Sequence, residues 1–276
     1  MRKINYGMIV SDFDGTLARK DCSVAEETKR TINEYIENGG IFAISTGRMP
    51  TGILPYLRNM RLKGVVSCYQ GAVIMDIETQ TPLLNGVMDK STIIKACEIM
   101  EELGLHIHAY TLQGFYTNKR NEAEEYYEKL VLMNGELVED LSTYIKTQAT
   151  DFYKLVAIVF GDEIERAKSV LQSRLGDSVE ITMSADCLLE VCNPRYNKGT
   201  ALQFLSEYYG VPLENTIAIG DQLNDMAMIE TAGLGVTLKN GHSALKAKAK
   251  VVLDYSNDEN AVGRLIEKYG YLENDL

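Results

Sequence analysis

Hydrophobic and polar positions along this chain fall into two textures. From the N-terminus to about residue 75, short apolar runs alternate with amphipathic stretches separated by turn residues. Residues 7–12 form an apolar run of strand length. Ser23-Val24-Ala25-Glu26 has the spacing of a capping box and predicts a helix to about Asn38, stopped at Gly39-Gly40. Ile41 to Ser45 predicts a second buried strand, Thr51 to Met60 a helix, and Val65 to Cys68 a third strand. Strands alternating with helices predict right-handed crossovers and a mostly parallel sheet.

From about Pro82 the pattern changes. Asp89 to Leu103 has helical periodicity, Gly114 to Asn118 reads as a short strand, and Asn121 to Leu132 as a Glu- and Tyr-rich helix. Tyr153 to Phe160, Glu163 to Leu175 and Val179 to Met183 then read as strand, helix and strand. The earlier alternation returns with a strand over Leu188 to Cys192 and a helix that Asn197 caps and Gly210 ends. A strand follows over Thr216 to Ile219, a helix over Asn224 to Ala232 and a strand over Gly235 to Leu238. A helix from about His242, a strand over Val251 to Leu253 and a helix over Asp258 to Tyr269 close the chain. The simplest architecture is α/β: a Rossmann-like, mostly parallel three-layer core from residues 1–81 and 189–276. Residues 82–188 would form an inserted α+β domain.

Composition narrows the partners. A formal net charge of -11, with basic residues scattered, argues against nucleic acid or an anionic membrane surface. No apolar stretch approaches the ~20 residues of a membrane span, and no signal pattern stands at the N-terminus. The five cysteines are odd in number and include no C-x-x-C, which predicts reduced thiols in a cytoplasmic protein.

Chemistry concentrates where strands end. Asp12 and Asp14 follow the first apolar run and alternate, so a turn there can aim both carboxylates at one point. Carboxylates so close repel, which suggests a bound cation, a shared proton or both, and magnesium suits carboxylate and phosphate oxygens. Asp14-Gly15 also fits a plain turn. Three more polar segments occupy comparable places. Thr46-Gly47-Arg48 offers a hydroxyl and N–H groups to phosphate, or is a simple turn. Lys198 opens a helix, where a cation and unpaired N–H groups favour an anion, or is a solvated lysine. Gly220-Asp221-Gln222-Leu223-Asn224-Asp225 follows an apolar strand, and Asn224 and Asp225 also fit helix caps. In a parallel α/β sheet, loops at the carboxyl ends of strands share one crevice. Order, placement and residue chemistry together fit one site for phosphate and magnesium.

These segments resemble the haloacid dehalogenase superfamily, specifically its Cof-type phosphatases with a large α/β cap (type IIB) between the second and third motifs. The matching residues are D-x-D-G-T-L at 12–17, T-G-R at 46–48, K-G-x-A-L at 198–202 and G-D-x-x-N-D at 220–225. Ala232-Gly233-Leu234-Gly235-Val236 and the S-N-x-E segment at 256–259 extend the likeness. One departure is Tyr69-Gln70-Gly71-Ala72, where such proteins usually carry Asn-Gly-Ala.

The resemblance implies a phosphoric monoester hydrolase working through an aspartyl-phosphate. Asp12 would be the nucleophile and Asp14 the general acid and base. Mg2+ would be held by Asp12, the Asp14 carbonyl and Asp221. Thr46, the Gly47 N–H, Lys198, Asn224 and the Phe13 N–H would clamp phosphoryl oxygens, with Asp225 and Arg48 supporting them. The substrates implied are small phosphorylated metabolites, either sugar phosphates or phosphorylated cofactors, handled by a cytoplasmic monomer or weak homodimer. A sugar phosphomutase with the same nucleophile, or a non-catalytic phosphometabolite sensor, shares these residues. In the inserted domain, His106-x-His108 fits an ordinary strand surface, a substrate pocket or a metal site, and the surface is expected. Tyr126-Tyr127 reads as packing.

Overall fold

The computed structural model describes residues 2–131 and 133–272. They group into two compact units: residues 2–46, 57–83 and 197–272, and residues 47–56 and 84–196. Among them no helix is long and apolar enough to cross a membrane.

The first unit opens with β1 (Met8–Ser11), α1 (Glu26–Glu37), β2 (Ile41–Ser45), α2 (Pro50–Asn59), β3 (Val65–Cys68) and β4 (Val73–Asp76). Strand β5 (Pro82–Asn85) leads out of it. The second unit contains α3 (Lys90–Glu102), β6 (His106–Tyr110), β7 (Phe115–Thr117), α4 (Glu122–Val131), β8 (Glu136–Leu137) and α5 (Leu141–Thr147). It continues through β9 (Lys154–Ile158), α6 (Glu163–Leu175), β10 (Glu180–Ala185) and β11 (Leu188–Cys192). The chain then returns with α7 (Lys198–Tyr209), β12 (Thr216–Gly220), α8 (Met226–Thr231), β13 (Leu234–Thr237), α9 (Ser243–Lys248), β14 (Val251–Val252) and α10 (Ala261–Leu265). The helix expected to Leu132 is α4; Leu132 itself lies outside the described residues.

The larger sheet has the order β14-β13-β12-β1-β2-β3-β4-β5 and is mostly parallel, as expected of this α/β class. Strand β1 sits inside it, with Ser11 opposite Ile44 of β2 and Ile219 of β12. All four β1 residues are fully buried, the condition that makes an interior parallel strand a continuous apolar run. Outward from β1 the chain order runs one way through β2 and β3 and the other way through β12 and β13. The β1/β12 boundary is therefore the switch point of the sheet. Strand β4 runs antiparallel to β3. It and β5 escaped the sequence reading because both are short and separated only by turn residues.

Two local expectations change. Helix α1 starts at Glu26 without a side-chain cap, because the Ser23 hydroxyl donates instead to Asp21 Oδ1 at 2.5 Å. Leu188–Cys192, assigned to the returning alternation, pairs antiparallel with both β9 and β10 in the second unit's sheet.

That second sheet has the order β10-β11-β9-β6-β7-β8. One face packs Ile107, Ala109, Leu155, Ala157, Leu189 and Val191 with apolar residues of α3 and α6. The alternate positions include His106, His108, Lys154 and Glu190, all buried polar side chains. The expectation of an ordinary surface at His106 and His108 thus fails. They are 6% and 0% exposed, because α4 brings Glu124 against both rings. Of the tyrosine pair, Tyr127 is buried and Tyr126 exposed.

Candidate active site

Strand β1 delivers Asp12 to the switch point. The Asp12 N–H still donates to Ile219 O at 2.9 Å, and the chain then wraps on itself, with the Leu17 and Ala18 N–H groups donating to Phe13 O. Gly15 has φ +73°, and a Cβ there would lie 2.5 Å from Asp221 Oδ2, so only glycine lets this turn close on the β12 loop. Across that closure Thr16 Oγ1 donates to Asp221 Oδ1 at 2.7 Å. Asp14 is exposed on the same turn.

Lys198 joins the buried acids. Its Nζ donates to Asp12 Oδ1 at 2.5 Å and to Asp225 Oδ1 at 2.6 Å, and the lysine is fully buried. The unpaired helix N–H groups expected to join Lys198 in favouring an anion are capped within α7. Asn197, the N-cap of α7, accepts from the Gly199 and Thr200 N–H groups at 2.9 and 3.0 Å. Asp225 is committed on both oxygens, since its Oδ2 accepts from the Asp221 and Gln222 N–H groups at 2.8 and 2.9 Å.

Three carboxylates face one ammonium here, and the electrostatics follow. Burial pushes the Asp12 carboxyl well above its usual range, against the pull of Lys198, and Asp225, Asp221 and Asp14 add to the rise. Burial, then Asp225, pushes Asp221 up to about 7. Burial alone would lower the Lys198 ammonium, yet Asp12 and Asp225 hold it above its ordinary value.

Such a cluster lacks positive charge. Asp12, Asp221 and Asp225 offer ligand oxygens close enough to share one ion. The committed oxygens of Asp225 leave Asp12 and Asp221 as the better donors, and their hard oxygens fit magnesium.

The T-G-R segment straddles the two units. In the first, the Thr46 N–H donates to Ser67 O at 2.9 Å and the Gln70 N–H to Thr46 O at 3.1 Å. Tyr69, Gln70 and Gly71 all have positive φ, of 50°, 58° and 105°. A β-carbon on Gly71 would strike Asn197 O. The Gln70 side chain in turn accepts from Asn224 Nδ2 at 3.1 Å. The unusual glutamine therefore touches a residue expected to bind phosphate. In the second unit, Gly47 O accepts from Lys154 Nζ at 3.0 Å, and Lys154 pairs with Glu190 at 3.1 Å. The Arg48 guanidinium lies 5.1 Å over the Tyr56 ring.

The first unit thus brings together Asp12, Lys198, Asp221 and Asp225, and ties Asn224 through Gln70 to the Thr46 backbone. Sequence reading missed the contacts of Thr16, Gln70, Lys154 and Glu190. Thr16 had a signal, as part of the quoted motif; Lys154 and Glu190 had none beyond being charges in apolar strands.

The family model of haloacid dehalogenase-like hydrolases matches residues 9–266. The chain belongs to this family. A Bacillus subtilis relative, 5-amino-6-(5-phospho-D-ribitylamino)uracil phosphatase YitU, is 27% identical, covering 95% of this chain and 97% of its own. Phosphatase YwpJ of the same species is 26% identical over 94% and 98%. A solved haloacid dehalogenase-like hydrolase from Bacteroides thetaiotaomicron is 26% identical, covers 95% and 99%, and superposes with a TM-score of 0.83. The chain is accordingly a haloacid dehalogenase-type hydrolase similar to named phosphatases.

Proposed function

We propose that this hydrolase is a magnesium-dependent phosphatase of small phosphorylated metabolites. The supporting observation is the buried Asp12–Lys198–Asp225 bridge, with Asp221 fixed by Thr16, at the carboxyl ends of β1 and β12.

An Asp12 oxygen attacks phosphorus as the ester P–O bond breaks, giving an aspartyl-phosphate. Asp14, exposed on the turn, gives its proton to the departing alkoxide. It then takes a proton from the water that attacks the same phosphorus, and the bond to Asp12 breaks. Lys198 favours the ionised form of Asp12 and, with the Thr46 hydroxyl and Asn224, clamps phosphoryl oxygens. The Phe13 and Gly47 N–H groups and Arg48 take their phosphate roles from the resemblance alone. Asp12, the Asp14 carbonyl and Asp221 would hold Mg2+, which supplies charge to offset repulsion between carboxylate and phosphate. Asp225 orients Lys198.

The test is phosphate release from phosphorylated sugars, cofactors and 5-amino-6-(5-phospho-D-ribitylamino)uracil, the compound in the YitU name, with magnesium and with chelator. Metal-dependent release is expected, and Asp12→Asn should lower it by about 10⁴-fold or more. Release that persists at a tenth of wild type in Asp12→Asn would remove Asp12 from the reaction. Isomerised product without free phosphate would indicate a mutase.

A further inference from the structure

We propose that His106, His108 and Glu124 form a second metal site, within the second unit, for a zinc-class divalent ion. The two histidines alternate on β6, so their rings leave the same face of the strand. Helix α4 lays Glu124 across them, and its Oε2 lies 2.8 Å from His106 Nε2 and 2.6 Å from His108 Nε2. Thr117, opposite His108 on β7, places its hydroxyl 3.1 Å from His106 Nε2 and 3.3 Å from Glu124 Oε2. None of the four is more than 6% exposed.

The second observation is a buried charge left incompletely answered. Among the described residues no lysine or arginine pairs with Glu124, and both imidazoles converge on a single one of its oxygens. The other oxygen, Oε1, is buried with no hydrogen-bond partner. A carboxylate removed from water in that state is costly, and a divalent cation answers it directly. Two imidazole nitrogens, one carboxylate and a hydroxyl form a donor set for zinc and its transition-metal neighbours rather than for magnesium or calcium. The site therefore differs in chemistry from the all-oxygen cluster around Asp12.

Geometry sets the terms of binding. Ligands about 2.0–2.1 Å from a tetrahedral ion lie about 3.3 Å apart, so the three side chains must open by roughly half an ångström. Each Nε2 must also present its lone pair, moving the ring proton to Nδ1. Neither Nδ1 has a partner among the described residues, so the outer shell that strengthens many histidine sites is missing. Affinity should fall about 10–100-fold below that of a fully supported site.

The experiment uses the full chain with saturating Mg2+, so that the oxygen-rich cluster is occupied. One equivalent of Co2+ should give the visible absorption of a nitrogen-ligated ion, and about one Zn2+ per chain should survive dialysis. His108→Ala and Glu124→Gln should lower zinc retention at least about tenfold, whereas Asp221→Asn should leave it unchanged. A wild-type protein without the cobalt spectrum and without retained zinc overturns the proposal, independently of how any variant folds. Zinc lost in Asp221→Asn but kept in both His108→Ala and Glu124→Gln also overturns it. Both results would leave a metal-free cluster of hydrogen-bonded histidines.

Discussion

The two units bury ionisable clusters of opposite design. Around Asp12, two of three carboxylates share one lysine, and an oxygen each of Asp221 and Asp225 is fixed by a hydroxyl or by backbone N–H groups. Around Glu124, one carboxylate stands against two imidazoles, with one oxygen unpartnered. The first cluster is a rigid, oxygen-rich cradle short of positive charge, suited to a hard cation and a phosphate. The second is nitrogen-rich and loosely supported. A charged cluster's chemistry thus follows from which atoms converge and what already holds them, more than from how deeply it is buried.

Removing Lys198 should break this contrast most severely. Lys198→Met leaves Asp12 and Asp225 buried against each other, and chelator-treated protein should lose about 3–5 kcal/mol of unfolding free energy. Denaturant titration measures it, and a loss below about 1 kcal/mol would mean that the bridge is energetically slack.

Acid should then separate the units in chelator. Although burial favours the protonated form, hydrogen bonds from His106 and His108 hold Glu124 down to about 2, and burial depresses His108. The unfolded chain binds more protons at both groups, so the second unit loses stability as pH falls below about 6.5, and further below about 4.5. Asp221, raised to about 7, has the opposite sign: its folded form gains protons first, and its contribution declines as pH rises from about 4 to 7. Hydrogen exchange followed from pH 7 to 4 should show the second unit opening first; uniform opening of both units would contradict the assignment.

The smallest effect sharpens the first cluster. Thr16→Val frees Asp221 Oδ1 and should raise the magnesium concentration needed for half-maximal phosphate release about tenfold, with little change at saturation. An unchanged requirement would show that Asp221 needs no support from Thr16.

Much of the first unit was legible because its signals are local. Apolar strands end abruptly in Asp12, Thr46 and Asp221, and strand alternation alone places those ends together. Helix α7 was legible for the same reason, with Asn197 and Gly210 marking its two ends. The Lys198 contact with Asp12 was not, since a side chain 186 residues from Asp12 leaves no trace in local pattern. Nor was the Gln70 turn, with three consecutive positive-φ residues and Gly71 packed closely on Asn197. His106 and His108 misled for a different reason: period-two alternation says that two residues share a face, but not what covers it.

The interior position of β1 also bears on how this chain is made. Its partner β12 is synthesised about 200 residues later, a delay of roughly 10–40 s at ~5–20 residues per second. Through that interval a fully buried, mostly apolar strand can pair with β2 but presents its other edge unmatched. Folding of the intervening second unit shortens the effective loop that β12 must close. Newly made protein should therefore depend on chaperones, and be prone to aggregate, until the ribosome has passed Gly220.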